Sequence, residues 1–185
     1  MAMGIFGSRR NNKVIVDRQY GVITATTRMP CFYVEYSVPD TVMGRFEMLS
    51  VVMILFLRRT AKSGAAGKEI AQAIVDAFFM DVDYSIRELG VGDNSVPKRM
   101  KKLAGMFYGR LERYAQALEA RDLSQLSRAL QFNFYSEKSD PPDMGELARW
   151  MLENTDHLER LDEIVVETGL VSFLVPEHLE TGRAH

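Results

Sequence analysis

The sequence predicts an all-α fold, a single-domain helical bundle of about six or seven helices with a short extended C-terminal tail. Apolar residues recur at steps of three and four along most of the chain, and strand-like segments do not alternate with helical ones. With 185 residues, 46% of them hydrophobic, the chain is long enough for one core. We therefore divide it into a flexible basic N-terminus (1–12), a helical domain (13–168) and a strap and tail (169–185).

Two helices are predicted in the first third of the chain. Several positions in residues 13–28 favour a strand by propensity, but apolar and polar residues do not alternate cleanly there, so we predict a helix. Pro30 and Pro39 bracket a predicted loop around Cys31. The next helix, residues 41–62, is apolar on all sides, which is typical of a helix at the centre of a bundle.

A hairpin of two long helices is predicted in the middle of the chain. The first helix covers residues 68–89, and a glycine-containing break follows at residues 90–94. The second helix opens with Pro97 in its first turn, after Ser95, and carries one apolar stripe as far as Leu118. Gly90 is suited to a left-handed helix cap, and such a cap would let the chain reverse here.

The last third is predicted to add two shorter helical segments and an apolar end. Asp122 is a candidate cap for the first segment, and residues 140–143, which include two prolines, end it. A second apolar stripe runs over residues 147–165 at steps of three and four. The apolar run at residues 170–175 predicts either a short strand or a strap lying over the bundle.

The distribution of charge is uneven. The formal net charge is only −2, yet residues 93–135 carry a balance of +4 and residues 136–185 a balance of −8. A total this small gives no reason to expect DNA binding, and we predict no specific DNA partner. The basic middle of the chain favours an anionic partner of another kind, such as ribosomal RNA, lipid head groups or an acidic protein segment.

The residues that catalysis needs are missing as a set. Cys31 is the only cysteine and the three histidines lie late in the chain without metal-ligand spacing, so we predict no metal site and no cofactor. The one plausible acid–base cluster is formed by Asp81, Asp83, Arg87 and Asp93, which fit hairpin caps and ion pairs more simply. We therefore predict that the protein is not an enzyme, with a helical enzyme using these four residues as an alternative.

No membrane-spanning segment is predicted. The most apolar run, residues 48–57, is about half the ~20 residues that a spanning helix requires. The N-terminus has no apolar signal region, so we expect a cytoplasmic protein. Ile5 and Phe6 beside Arg9 form a tip that would suit an anionic bilayer, which is consistent with a peripheral position at the inner face of the plasma membrane.

Several ungapped blocks resemble the ubiquinol–cytochrome c chaperone family. These blocks are residues 38–48 (VPDTVMGRFEM), 87–93 (RELGVGD), 96–102 (VPKRMKK) and 107–110 (FYGR), and they occur in the family's order. The form is similar to the short bacterial members. The resemblance implies a non-enzymatic assembly chaperone for the cytochrome bc complex that binds newly made cytochrome b and aids its assembly.

The resemblance also implies partners and a region in which to look for them. The expected partners are cytochrome b or another bc-complex subunit, the ribosome or an anionic membrane surface, and a small helical partner protein. A helical protein- or ribosome-binding module without a respiratory role is the alternative. The residues predicted to contact client or partner are Phe46, Arg87, Gly90, Gly92, Asp93, Pro97, Lys98, Lys101, Lys102, Phe107, Tyr108 and Arg110.

Overall fold

The computed structural model describes the backbone of residues 3–176 and the side chains of residues 12–176. Within that part the chain forms helices and no strands, which confirms the all-α prediction. Six helices are long and two have five residues. They are α1 (Met3–Thr27), α2 (Pro30–Val34), α3 (Val42–Ala61), α4 (Ala65–Glu88), α5 (Val96–Glu119), α6 (Leu123–Phe134), α7 (Gly145–Glu159) and α8 (Glu163–Glu167).

Helix α3 lies at the centre of the bundle and contacts α1, α4, α5, α6 and α7. Its sequence is apolar on every side, and most of its residues are buried. Its first turn is capped by Thr41, whose hydroxyl accepts a hydrogen bond from the Gly44 amide at 3.0 Å. The predicted helix, residues 41–62, is confirmed to within one residue at each end.

The segment before α3 lies directly against its first turn. A Cβ atom placed on Gly44 would lie 1.9 Å from the carbonyl oxygen of Pro39, so only glycine allows this approach. Tyr135, just beyond α6, fastens the same segment by donating a hydrogen bond to the Ser37 carbonyl at 2.6 Å. The start of α3 is therefore held in place from two sides.

Two predictions about the first helices need correction. Helix α1 begins at Met3, ten residues before the predicted start. The predicted loop after Pro30 is wrong for its first five residues, which form α2 because proline suits the first turn of a helix and Cys31 and Phe32 become buried. The side chains of the N-terminal tip and residues 177–185 lie outside the described residues, and the division at 12 and 168 stays a prediction.

Residues 169–176 form an irregular strap against α1 and α7, not a strand. The side chain of Gln19 exchanges two hydrogen bonds with the backbone of Val171, at 2.8 and 2.9 Å. On α7, Trp150 donates to the Leu174 carbonyl and Asn154 accepts from the Leu174 amide. The strap is thus bonded to the first helix and to the seventh.

Candidate functional site

The predicted hairpin is formed by α4 and α5. Gly90 follows the end of α4 with a φ of +77°, a left-handed conformation that glycine adopts without strain. Ser95 precedes α5 without a side-chain capping bond, and Pro97 lies in the first turn as predicted. Gly92, between the two helices, is exposed.

Arg87 closes the hairpin turn by an ion-pair network. Its guanidinium donates to Asp83 at 2.7 Å and to Asp93 at 2.6 Å, and all three side chains are at the surface. Both carboxylates raise the pKa of Arg87 above its ordinary value. Arg87 and Asp93, two of the residues predicted to contact a partner, are therefore engaged with each other across the turn.

The four residues of the candidate acid–base cluster do not share one pocket. Asp81 points away from the network of Arg87 and instead accepts a hydrogen bond from the Tyr20 hydroxyl at 2.9 Å. Burial, with Asp81 as the next cause, raises the pKa of Tyr20, so this hydroxyl stays protonated. Only Asp81 of the four lines a cleft.

An aromatic cluster packs beneath the hairpin. The ring of Phe78 lies 4.9 Å from that of Phe107 and 6.2 Å from that of Phe46, centroid to centroid. Phe107 is fully buried, whereas Tyr108 is exposed and packs against Phe79 at 6.2 Å. Phe107 thus supports the surface from below, and Tyr108 belongs to the surface itself.

Glu47 and Arg110 form a buried ion pair between α3 and α5. Two guanidinium nitrogens of Arg110 donate to the two carboxylate oxygens of Glu47, and the residues are 8% and 2% exposed respectively. Burial raises the pKa of Glu47, and the hydrogen bonds from Arg110 oppose that rise. Arg110, one of the residues predicted to contact a client or partner, is therefore buried, because a buried carboxylate requires this partner.

Four basic residues occupy the start of α5 and are exposed to solvent. None of them makes an ion pair with another described residue. We call this group the basic turn; it consists of Lys98, Arg99, Lys101 and Lys102.

An open apolar cleft of about 650 Å³ lies between α2, the start of α3 and the hairpin. We call it the Phe46 cleft, because the buried ring of Phe46 lines it. The lining residues with large exposed apolar side chains are Val34, Val42, Met43 and Leu89. Exposed apolar side chains around a concave surface are typical of a site that binds another apolar segment.

A second open cleft, of about 790 Å³, lies on the other side of Met43, which lines both. We call it the Gly109 cleft. The Glu47–Arg110 pair lines it, and Gly105 and Gly109 leave the α5 backbone uncovered, since a Cβ on either would meet no atom within 4 Å. The predicted residues thus divide between a hairpin surface, a buried layer and two neighbouring clefts.

Comparison with known proteins identifies the family. The family model described as "Ubiquinol-cytochrome C chaperone" matches residues 34–173, a stretch that includes the hairpin and most of the lining of both clefts. The chain belongs to this family. The resemblance read from the sequence blocks is thereby confirmed.

Named relatives of this chaperone family include vertebrate proteins and one solved structure. Ubiquinol-cytochrome c reductase complex assembly factor 1 of Mus musculus is 26% identical over 176 residues, which are 92% of this chain and 59% of that protein. The Xenopus laevis protein of this name is 25% identical, covering 91% and 87%. The crystal structure of the Cbp3 homologue from Brucella abortus matches with a TM-score of 0.87 and 41% identity, covering 96% of this chain and 98% of that one. The chain spans about three fifths of the length of the mouse relative.

Two further observations bear on this family member. Among residues 3–176, no helix combines the length and the apolar character that crossing a membrane requires. The described side chains also include no group of three or more histidine, cysteine or acidic residues arranged for a metal ion.

Sequence reasoning missed Glu47 and the two clefts. A signal for Glu47 was present, since it is an acidic residue inside the most apolar helix.

Proposed function

We propose that this protein is a non-enzymatic assembly chaperone of the cytochrome bc complex, and that it holds newly made cytochrome b in the Phe46 cleft. Family membership supports the assembly role, since the curated relatives are named as assembly factors of ubiquinol–cytochrome c reductase. The observation that carries the binding site is the cleft itself, an open concave surface with exposed apolar side chains at its mouth. A nascent membrane protein exposes apolar segments of the kind that such a surface binds.

The chemistry of the Phe46 cleft favours binding over catalysis. Among the groups that line it, Asp81 is bonded to Tyr20 and Asp40 is paired with Arg45 at 2.8 Å. Glu88, the third carboxylate in the lining, is exposed to solvent, and the rest of the lining is mostly apolar. A general acid or base would need a carboxylate that is free to reach a substrate, and Asp81 and Asp40 are both engaged with neighbours.

Capture of a client tests the proposed function directly. The tagged protein, expressed in its native host under respiring conditions, is expected to enrich cytochrome b after mild solubilisation. A matched deletion strain is expected to lose assembled bc complex on a native gel. The absence of every bc-complex subunit from the captured material, together with normal assembly in the deletion strain, would remove the proposal.

Charges introduced at the mouth of the Phe46 cleft should weaken this capture. In the double variant Val34→Glu/Val42→Glu, two exposed apolar contacts become carboxylates that a bound apolar segment would have to desolvate. We expect capture of cytochrome b, measured by quantitative immunoblot, to fall about tenfold or more. Helicity by circular dichroism should not change, because both side chains are exposed.

The double variant Val14→Glu/Ile164→Glu is the matched control. Both residues are exposed and apolar, and neither lines the Phe46 cleft. The two substitutions change the net charge by the same amount as those at Val34 and Val42. Capture by this control should equal that of the unaltered protein. Equal losses in the two variants would mean that charge alone causes the effect and that the cleft is not the site.

The location and the other partners remain proposals too. We propose a cytoplasmic protein that is peripheral at the inner face of the plasma membrane, since a bc-complex client is inserted into a membrane. Binding to the ribosome or to a small helical partner protein stays a prediction from the family resemblance. The Gly109 cleft is a second concave surface that such a partner would contact, since Gly105 and Gly109 leave the α5 backbone uncovered there.

A further inference from the structure

The basic turn conflicts with the electrostatics of its own helix. The N-terminus of a helix carries partial positive charge, which favours acidic side chains and disfavours basic ones. Helix α5 has no acidic residue in its first turn and no side-chain capping bond from Ser95. Lys98 and Arg99 add positive charge to that first turn, and Lys101 and Lys102 follow in the next turn.

The nearest acidic side chain in the sequence does not relieve this conflict. Asp93 is bonded to Arg87 at 2.6 Å, and Arg87 in turn also binds Asp83. The cationic charge of the basic turn thus faces solvent without a partner among the described residues. A charge distribution that lowers the stability of the folded chain is typical of a surface that binds another molecule.

Exposed apolar and aromatic side chains also lie along the two helices of the hairpin. Leu89, at the end of α4, is 57% exposed, and Tyr84 one turn earlier is 61% exposed. Tyr108, farther along α5, is 53% exposed. Tyrosine has an apolar ring and a polar hydroxyl, a combination found at the boundary between lipid head groups and acyl chains.

We propose that this end of the α4–α5 hairpin docks on the surface of an anionic lipid bilayer. The basic turn binds the lipid phosphates, and Leu89 and Tyr108 enter the head-group layer. A single-stranded nucleic acid can bind the cations and stack its bases on the tyrosines, but it offers no apolar layer in which to bury Leu89. An anionic bilayer surface binds both kinds of side chain, because it has phosphates for the cations and an apolar layer for the leucine and tyrosines.

Docking in this way would set the position of the Phe46 cleft. Leu89 lies at the hairpin end and also lines that cleft, as does Leu103, the residue directly after the basic turn. The mouth of the cleft would therefore open next to the lipid surface, where segments of a membrane protein emerge. This consequence rests on the proposed client, whereas lipid docking deepens the proposed peripheral location and requires no client.

Flotation with lipid vesicles tests the docking surface. The full chain is mixed with vesicles of phosphatidylcholine alone or with one third phosphatidylglycerol, and we expect binding only to the anionic ones. The variant Lys98→Glu/Lys101→Glu/Lys102→Glu should bind at least about 100-fold more weakly, since each lysine near such a surface contributes about a factor of five. Circular dichroism checks that the variant is folded, and Lys98→Gln/Lys101→Gln/Lys102→Gln replaces it if it is not.

The control variant carries the same change of net charge at other exposed positions. Lys68→Glu/Arg128→Glu/Lys138→Glu should bind anionic vesicles to within about threefold of the unaltered protein, because its substitutions lie outside the hairpin end. Equal loss in the two triple variants would show a nonspecific charge effect and overturn the proposal. So would equal binding of the unaltered protein to neutral and anionic vesicles.

Two further measurements distinguish insertion of Tyr108 into the lipid from electrostatic attraction of the basic turn alone. In Tyr108→Trp, lipids brominated on their acyl chains should quench the new emission, while Trp150, only 3% exposed, gives the background in the unaltered protein. Absence of quenching in bound protein would overturn the insertion of Tyr108. A single-stranded RNA that binds more tightly than anionic vesicles at equal salt, and releases on the lysine reversals, would assign the basic turn to nucleic acid instead.

Discussion

Replacing Arg110 with methionine is expected to destabilise the fold by about 3–5 kcal/mol. The substitution leaves the Glu47 carboxylate buried at 2% exposure without the two hydrogen bonds that Arg110 donates. A buried unpaired charge is among the most costly local changes in a protein. The free energy of unfolding in urea, followed by circular dichroism, measures the loss, and Arg113→Met on the exposed side of the same helix is the control.

A double variant separates the contribution of the ion pair itself from the cost of burying a charge that has lost its partner. Glu47→Met/Arg110→Met replaces both charges with apolar side chains of similar length, so most of the stability lost in Arg110→Met should return. A double variant as unstable as the single one would mean that the shape of the pair, not its charge, is what the bundle requires. A single variant that loses less than about 1 kcal/mol would contradict the buried ion pair itself.

The stability of Arg110→Met should also depend on pH in a defined direction. Arg110 lowers the pKa of Glu47, so its removal lets burial raise that pKa further above the value in the unfolded chain. The folded state then holds a proton that the unfolded chain releases, and stability falls as pH rises through this interval. The variant should therefore recover part of its stability in mildly acidic solution, and urea titrations at several pH values would detect this.

Replacing Phe78 with alanine should have an effect of similar size, a loss of about 3–5 kcal/mol. The ring is fully buried and contacts the rings of Phe46, Phe79 and Phe107. Its removal leaves a cavity beneath the Phe46 cleft, and the surrounding helices cannot close it completely. Thermal and urea unfolding measure the loss.

Phe132→Ala provides the comparison for Phe78→Ala. Phe132 is exposed, and its substitution should change stability by about 0.5 kcal/mol or less. The intermediate variant Phe78→Leu should lose less than Phe78→Ala because it leaves a smaller cavity. Equal stabilities for Phe78→Ala and Phe132→Ala would show that the aromatic cluster does not support the hairpin.

Most of the helices could be predicted because their apolar spacing is local information. Helix α3 is bounded by a threonine cap and a glycine-containing stop, and both signals lie within a few residues of its ends. The hairpin was predicted for the same reason, since Gly90 marks the reversal of the chain. Helix α2 was missed because five residues are too short to show a helical period, and its stability depends on burying Phe32 against Trp150.

The candidate site was harder to predict because it depends on contacts between distant segments. Position on the helix places Arg110 beside the apolar stripe of α5, and only the approach of Glu47, 63 residues earlier, decides that it is buried. The clefts are spaces between helices and have no signal of their own in the sequence. The exposed basic turn, by contrast, follows from four neighbouring residues and could be predicted directly.

The C-terminal strap has a consequence for the order in which this chain acquires its structure during synthesis. The hydrogen bonds between Gln19 and Val171 join residues 152 positions apart, so they form only after nearly all of the described chain has left the ribosome. Until then Gln19, which is fully buried in the finished fold, has no acceptor or donor from the strap. Contacts of such long range form late because the intervening chain must first be ordered. This member of the chaperone family therefore reaches its final fold only after the segment around Val171 has been synthesised.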